Sequence, residues 1–301
     1  MSLKNKIDKK KKKETVSNEN TPVVRKKPVN QLNDLTATQW IQETVSVFVQ
    51  KGLGAGSKEA QIEKQHPAPF SFQDVARLIT FFTKEGGLVL DPFSGVGSTL
   101  KACALNNRNG VGIEIVDKYV ELTKQRLEIE VDNVYSYKNK QEVIKGDSLK
   151  EIKNIKDDYF DFIVTSPPYW SILNKKADHK VKNQRIANNL DTKYSEIKED
   201  LGNIEKYEDF IDILSKFFID CSRILKQKKY MCVIVSDFRD KNKYHMFHAD
   251  LANKLEGNNF TLKGITVLYQ RHKSIFPYGY PYSYVPNIHN QYILIFQNTK
   301  E

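Results

Sequence analysis

Seven short apolar runs, most of them separated by a helical pattern, constrain this chain more than any other feature. The runs at 88–91, 110–115, 142–145, 160–165, 230–236, 261–269 and 291–297 read as strands. Between and before them, apolar residues at helical spacing predict helices at 72–83, 97–106, 117–130, 207–226 and 245–256. Such alternation predicts an α/β fold, with a mainly parallel seven-stranded sheet covered by helices on both faces. Leu35 to Val49, with Trp40, Ile41, Val45, Phe48 and Val49 near helical spacing behind Thr36 as an N-cap, predicts one more helix.

In such sheets ligands sit beyond the carboxyl ends of the strands, where the strand order switches. The residues at those ends are therefore the informative ones. Asp91-Pro92-Phe93-Ser94-Gly95-Val96-Gly97-Ser98-Thr99 follows the first apolar run and leads into a helix. Glycines there let backbone approach a ligand and present amides at a helix N-terminus. The second run ends at Glu114, where a carboxylate can accept hydrogen bonds from a ribose diol, so the pattern is Rossmann-like. The third glycine of the dinucleotide fingerprint is missing, and Asp91 would repel a pyrophosphate. An acidic residue suits instead a cationic, phosphate-free ligand such as S-adenosylmethionine; a nicotinamide cofactor is the disfavoured alternative. Candidate cofactor contacts are thus Asp91, Pro92, Phe93, Gly95, Gly97, Ser98, Thr99 and Glu114. Asp147, after the third run, can accept from an adenine amine or serve as a turn residue.

The fourth run ends in Thr165-Ser166-Pro167-Pro168-Tyr169-Trp170. Two prolines cannot donate to a sheet ladder, so the strand stops there in stiff, extended backbone. The assembly suits holding a flat, amine-bearing ring: Ser166 Oγ and the Pro167 carbonyl can accept from its two N–H bonds, Pro168 holds the backbone, and Tyr169 would stack on the ring. Ser166, Pro167, Pro168 and Tyr169 are the candidate catalytic residues. Trp170 could line the pocket or belong to the core.

Together, the Asp91–Gly97 stretch and Thr165-Ser166-Pro167-Pro168-Tyr169 resemble the amino-methylating DNA methyltransferases, which make N4-methylcytosine or N6-methyladenine. The resemblance covers about residues 60 to 300. It implies a Rossmann-like methyltransferase fold, S-adenosylmethionine as cofactor and double-stranded DNA as partner, with the target base flipped out of the duplex. It further implies cofactor contacts from Phe93, Gly95 and Gly97, ribose binding by Glu114 and adenine binding by Asp147. His66-Pro67-Ala68-Pro69-Phe70 resembles the segment that closes over the methionine end of the cofactor, which adds His66 and Pro67. Serine before Pro-Pro favours cytosine N4 over adenine N6. RNA or protein N-methylation on the same fold is an alternative, as is a non-catalytic nucleic-acid-binding module. C5-cytosine methylation needs a cysteine after proline, whereas Cys103, Cys221 and Cys232 follow Ala102, Asp220 and Met231.

Charge is unevenly placed. The net charge is +10, but residues 1–30 hold ten Lys or Arg against three Asp or Glu. That leaves +3 for the other 271 residues. A disordered basic tail over 1–30 and a catalytic domain over 31–301 are expected. Two long stretches interrupt the alternation, 171–204 and 271–290. The first carries Lys175, Lys176, His179, Lys180, Lys182 and Arg185 and is a candidate phosphate-contacting lid; the second follows Arg271-His272-Lys273 with five aromatics. With the sheet ending near the C-terminus and the motifs ordered His66, glycine loop, Ser166, the chain reads as circularly permuted and without a large target-recognition domain. Recognition would then fall to these loops, to a homodimer or to a separate specificity or restriction partner. Asp237 either borders the base pocket or pairs with Arg239. No apolar run reaches membrane-span length, and three unpaired cysteines fit reduced thiols, so a cytoplasmic location in a restriction-modification setting is expected.

Overall fold

All seven predicted strands form, and they lie in one sheet with an eighth. The computed structural model describes residues 29–51, 60–63, 65–66, 71–131, 139–170, 197 and 199–301. The basic tail up to residue 28, Pro67 and most of the 171–204 stretch, with its Lys175, Lys176, His179, Lys180, Lys182 and Arg185, lie outside them. Leu32 to Glu301 make up one compact unit.

The strands are β1 (Val47–Val49), β2 (Leu88–Asp91), β3 (Asn109–Glu114), β4 (Gln141–Lys145), β5 (Phe160–Thr165), β6 (Leu225–Val235), β7 (Phe238–Asp240), β8 (Lys243–His245), β9 (Phe260–Tyr269) and β10 (Asn290–Asn298). The main sheet runs β1-β9-β10-β6-β5-β2-β3-β4, and β7 with β8 forms a separate hairpin. All neighbours are parallel except β10, which runs antiparallel to both β6 and β9. From β2 the chain steps outward to β3 and β4, then returns with β5 on the other side of β2. The order therefore reverses between β2 and β5, and the loops after these two strands flank one crevice.

The helices are α1 (Ala37–Glu43), α2 (Ala60–Glu63), α3 (Phe72–Phe82), α4 (Ser98–Leu105), α5 (Asp117–Glu130), α6 (Ser148–Glu151), α7 (Tyr207–Ile224) and α8 (Phe247–Leu255). α3 buries Phe72, Val75, Leu78, Ile79 and Phe82, residues three, four and seven apart that share one face. That face packs with Val89, Phe162, Val164 and Ile234 on one side of the sheet. Each such side chain contributes roughly 1.5–3 kcal/mol of burial. The alternate strand residues Leu90, Ile163, Met231 and Leu294 meet Phe210, Leu214 and Phe218 of α7 and Phe247 and Leu251 of α8 on the opposite side. Cys103, Cys221 and Cys232 are buried and free.

One sequence expectation fails. The helix predicted from Leu35 to Val49 ends at Glu43, and Val47–Val49 is the eighth strand, parallel to β9. Thr36 does cap the helix, with Gln39 completing a capping box. The β-branched Val45, Val47 and Val49 then favour extended backbone, and only Phe48 turns inward, beneath the Arg77 guanidinium. Among the described residues no helix is long and apolar enough to cross a membrane.

Candidate active site

The glycine loop is fixed from below by its first residue. Asp91 is fully buried; its carboxylate accepts from Thr165 Oγ1 at 2.7 Å, from the Phe93 amide at 3.1 Å and from the Thr99 hydroxyl. The contact with Thr165 ties β2 to β5 across the switch point. Burial nevertheless pushes the carboxyl up to about 6. Asp91 and Thr99 thus hold the loop, and neither lines the crevice. Gly95 and Gly97 adopt positive φ, +51° and +75°, where any other residue is strained. A Cβ on Gly97 would also lie 2.5 Å from Thr123 Cγ2. Ser98, first residue of α4, accepts from the buried Arg126 guanidinium at 2.9 Å, and Arg126 also holds the Val96 carbonyl, Glu130 and Glu63 of α2. Its contact with Glu63 anchors the helix that leads to His66.

The crevice itself is lined by His66, Pro92, Phe93, Gly95, Glu114, Asp147, Ser166 and Pro168, together with Tyr119, Asp200 and others. Residues from four separate strand ends therefore meet in one cleft. Glu114 turns its carboxylate to the loop, accepting from the Gly95 amide at 2.8 Å and the Val116 amide at 2.9 Å. Burial raises it to about 7, with the nearby charges of Asp200 and Asp91 adding to the effect. Asp147 caps α6 through the Leu149 amide, 3.0 Å away, which is the turn role, and it also lines the cleft. The His66 ring meets Tyr119 edge-on, at 4.8 Å between centroids, above Gly95.

Among the described residues, the cleft lining carries Glu114, Asp147, Glu199 and Asp200, and no Lys or Arg. Lys150 reaches Asp147 from outside the lining, at 3.4 Å; a wall this rich in carboxyl groups disfavours a phosphate and favours a cation. S-adenosylmethionine meets these terms: it carries an ammonium and a sulfonium, no phosphate, and hydroxyl and amine donors for the carboxylates. The lining, which includes Glu114, Asp147, Phe93 and Gly95, fits such a cofactor.

On the β5 side, Ser166 and Pro168 line the same cleft, while Pro167 is buried. Tyr169 packs against the core edge, its hydroxyl bonded to Ser166 and accepting from Gln291 Nε2 at 3.0 Å. Trp170 is a core residue, surrounded by Tyr207, Phe238 and His245. Asp237 does not pair with Arg239. Its buried carboxylate meets His248 Nδ1 at 2.7 Å and the Tyr244 hydroxyl at 3.2 Å, and the His248 ring stacks on Tyr292 at 3.8 Å. Arg239 donates instead to the Pro286 carbonyl.

Asp200, Gln291 and His248 are the neighbours that sequence reasoning passed over. Asp200 closes the 171–204 stretch, so at least this end of the expected DNA-contacting lid faces the cofactor cleft. Its signal was local: Asp200 caps the 3₁₀ turn Leu201–Asn203 through the Gly202 amide. Gln291 and His248 carried no local signal, because only the pairing of β6 with β10 and the packing of α8 bring them near.

The geometry has counterparts. A family model described as DNA methylase, of the N6/N4 type, matches residues 3–125 and 160–301. The orphan methyltransferase M.BamHII of Bacillus amyloliquefaciens is 39% identical over 75 residues, 24% of this chain and 28% of that protein. The type II methyltransferase M.HpaI of Haemophilus parainfluenzae is 29% identical over 131 residues, 44% of this chain and 38% of that one. The matches thus span well under half the length of these relatives. Among solved structures, TrmN from Thermus thermophilus aligns at a TM-score of 0.46 and 14% identity, over 75% of this chain and 48% of its own. With most of its length matched by the family model, the chain belongs to the N6/N4 family of DNA methylases, and S-adenosylmethionine is its cofactor.

Proposed function

We propose that this protein methylates an exocyclic amine of a base in double-stranded DNA, and that the amine is cytosine N4. The observation that carries this reading is that Ser166 and Pro168 line the same cleft as Glu114 and Asp147. Ser166, one of the two amine acceptors, thus shares a cleft with the residues read as holding the cofactor.

An exocyclic amine is a weak nucleophile because its lone pair is delocalised into the ring. Ser166 Oγ and the Pro167 carbonyl accept from its two N–H bonds, which favours a pyramidal nitrogen with the lone pair directed outward. Pro167 and Pro168 keep these acceptors in place, since their backbone has little freedom to move. Tyr169, held by Gln291 and Ser166, supplies a ring against the base. When bound, S-adenosylmethionine supplies a methyl group activated on a sulfonium. Positioning and electrostatics then provide most of the rate, with no covalent link to the protein. The base must leave the duplex to reach Ser166, at roughly a few kcal/mol.

Serine at 166 supports cytosine, because the family's adenine enzymes more often place a stronger acceptor, Asp, before Pro-Pro. Adenine N6 is the second reading. Transfer of tritium from labelled S-adenosylmethionine to duplex DNA, RNA and protein in parallel tests the substrate class. Label in duplex DNA alone is expected; label in RNA or protein alone would overturn the proposal.

A further inference from the structure

The connection between β9 and β10 leaves the sheet after Tyr269 and returns at Asn290. β9 is antiparallel to β10, β10 antiparallel to β6, and β6 parallel to β5. The connection therefore emerges at the same end of the sheet as Ser166. It is anchored. The Asn287 side chain accepts from the Phe276 amide at 2.9 Å and donates to the Phe276 carbonyl at 2.8 Å. The amides of Tyr282 and Ser283 both donate to the Gly279 carbonyl at 2.7 Å, and Arg239 holds the Pro286 carbonyl. One residue after its return, Gln291 bonds Tyr169, so a single side chain links this loop to the tetrad.

On that anchored loop Tyr280, Tyr282 and Tyr284 are 81%, 94% and 90% exposed. Apolar ring surface left in water on a self-bonded loop marks a contact surface more than an ordinary turn. Charge narrows the partner. From Gln270 to Asn290 there is no Asp or Glu, while Arg271, His272 and Lys273 stand exposed at the loop's start. Open aromatic faces next to cations, with no carboxylate, suit a polyanion that presents flat rings. In an intact duplex those rings are covered by their neighbours; they open where a base has left the stack.

We infer that Tyr280, Tyr282 and Tyr284 form a platform that stacks on DNA bases left unpaired beside the target, with Arg271 and Lys273 holding the adjoining phosphates. The inference rests on the proposed DNA substrate and adds which part of the opened DNA this loop grips.

The test uses the full chain with Tyr280, Tyr282 and Tyr284 all changed to Ala, and a second triple variant with all three changed to Phe. Fluorescence anisotropy reads binding to a mixed-sequence single-stranded oligonucleotide and to its duplex across a salt series. Because the three side chains are exposed, thermal midpoints should match the unaltered protein. The Ala triple should bind the single strand about tenfold or more weakly. Its duplex affinity and salt slope should stay nearly unchanged, and the Phe triple should keep single-strand affinity, because stacking needs the ring and not the hydroxyl. Arg271→Ala with Lys273→Ala should weaken both substrates and flatten the salt dependence by about two contacts' worth. Single-strand binding by the Ala triple within twofold of the unaltered protein would overturn the inference. So would an equal loss in the Phe triple, or sedimentation showing that the Ala triple only disrupts self-association. Tritium transfer by the unaltered protein separates the two levels. If it labels DNA while the Ala triple binds normally, the inference alone fails; if it labels no DNA, both fall.

Discussion

Two regions at the carboxyl end of β5, the cleft and the β9–β10 loop, are built on opposite terms. On the cofactor side, polar groups of β2, β3, β5 and α4 are buried and bonded to the fold itself: Asp91 to Thr165, Glu114 to the Gly95 amide, Ser98 to Arg126. On the β9–β10 side, Tyr280, Tyr282 and Tyr284 project into solvent from a loop bonded mainly to itself. The first arrangement places ligand-holding atoms by making the fold depend on them. The second leaves side chains free for a partner and asks of the fold only an anchor. Changes on the cofactor side should therefore disturb catalysis, cofactor binding and stability together or in part, whereas changes on the aromatic side should touch DNA binding alone.

The largest effect is expected at the hinge between the two regions. Ser166→Ala and Tyr169→Ala should each lower methyl transfer by about 10²–10³-fold, the scale for removing a positioned group at the reacting atoms. Calorimetry should find cofactor affinity within about twofold of the unaltered protein. Retained transfer in both variants would break the assignment. Next is Gly97→Ala, which places a Cβ against Thr123 in left-handed backbone. Overpacking and strain together should remove about 3 kcal/mol of unfolding free energy, measured by denaturant titration, and cofactor binding should weaken with it. A smaller and more selective loss is expected for Glu114→Gln: about 10- to 100-fold in cofactor affinity, as for hydrogen bonds to a charged group, with DNA affinity unaltered.

The smallest effect is a pH dependence that sharpens the same contrast. Glu114 is raised by burial from its ordinary 4.5 to about 7 in the free protein. Donors from a ribose favour its charged form, so cofactor affinity should be full above pH 7 and fall by up to about tenfold per pH unit below it. The folded, ligand-free protein binds this proton more tightly than the unfolded chain. Its contribution to stability is thus present below 4.5 and lost as pH rises through 7, and bound cofactor should offset that loss. Thermal scans with and without S-adenosylmethionine across pH 5 to 8 would reveal the divergence, and single-strand DNA binding through the aromatic loop should show none of it.

The cofactor side was legible in the sequence because burial and function ask for the same residues there. Apolar runs of 4–6 residues had to be strands, and what followed them had to face the crevice; β2 and β5 were placed to the residue. Asp91, read as a cofactor contact, holds the loop and does not line the cleft. A sequence shows that an acid follows a strand, and only the packing shows Thr165 and Thr99 taking its oxygens. β1 was misread because Trp40, Ile41, Val45 and Phe48 meet helical spacing by accident, and its partner β9 lies more than two hundred residues away. Distance in sequence also hides the contact of Gln291 with Tyr169, whereas the Asp237–His248 pair, though near in sequence, forms only through the packing of α8. The aromatic loop showed itself only as composition, since exposed side chains leave no periodicity behind.

Which amine the Ser166 tetrad grips is the point on which the account turns. Nucleoside mass spectrometry of DNA from cells expressing the protein, against cells expressing Ser166→Ala, reads it directly. N4-methylcytosine is expected in the first sample and none in the second. N6-methyladenine alone, or no modified nucleoside in either, would contradict the assignment to cytosine.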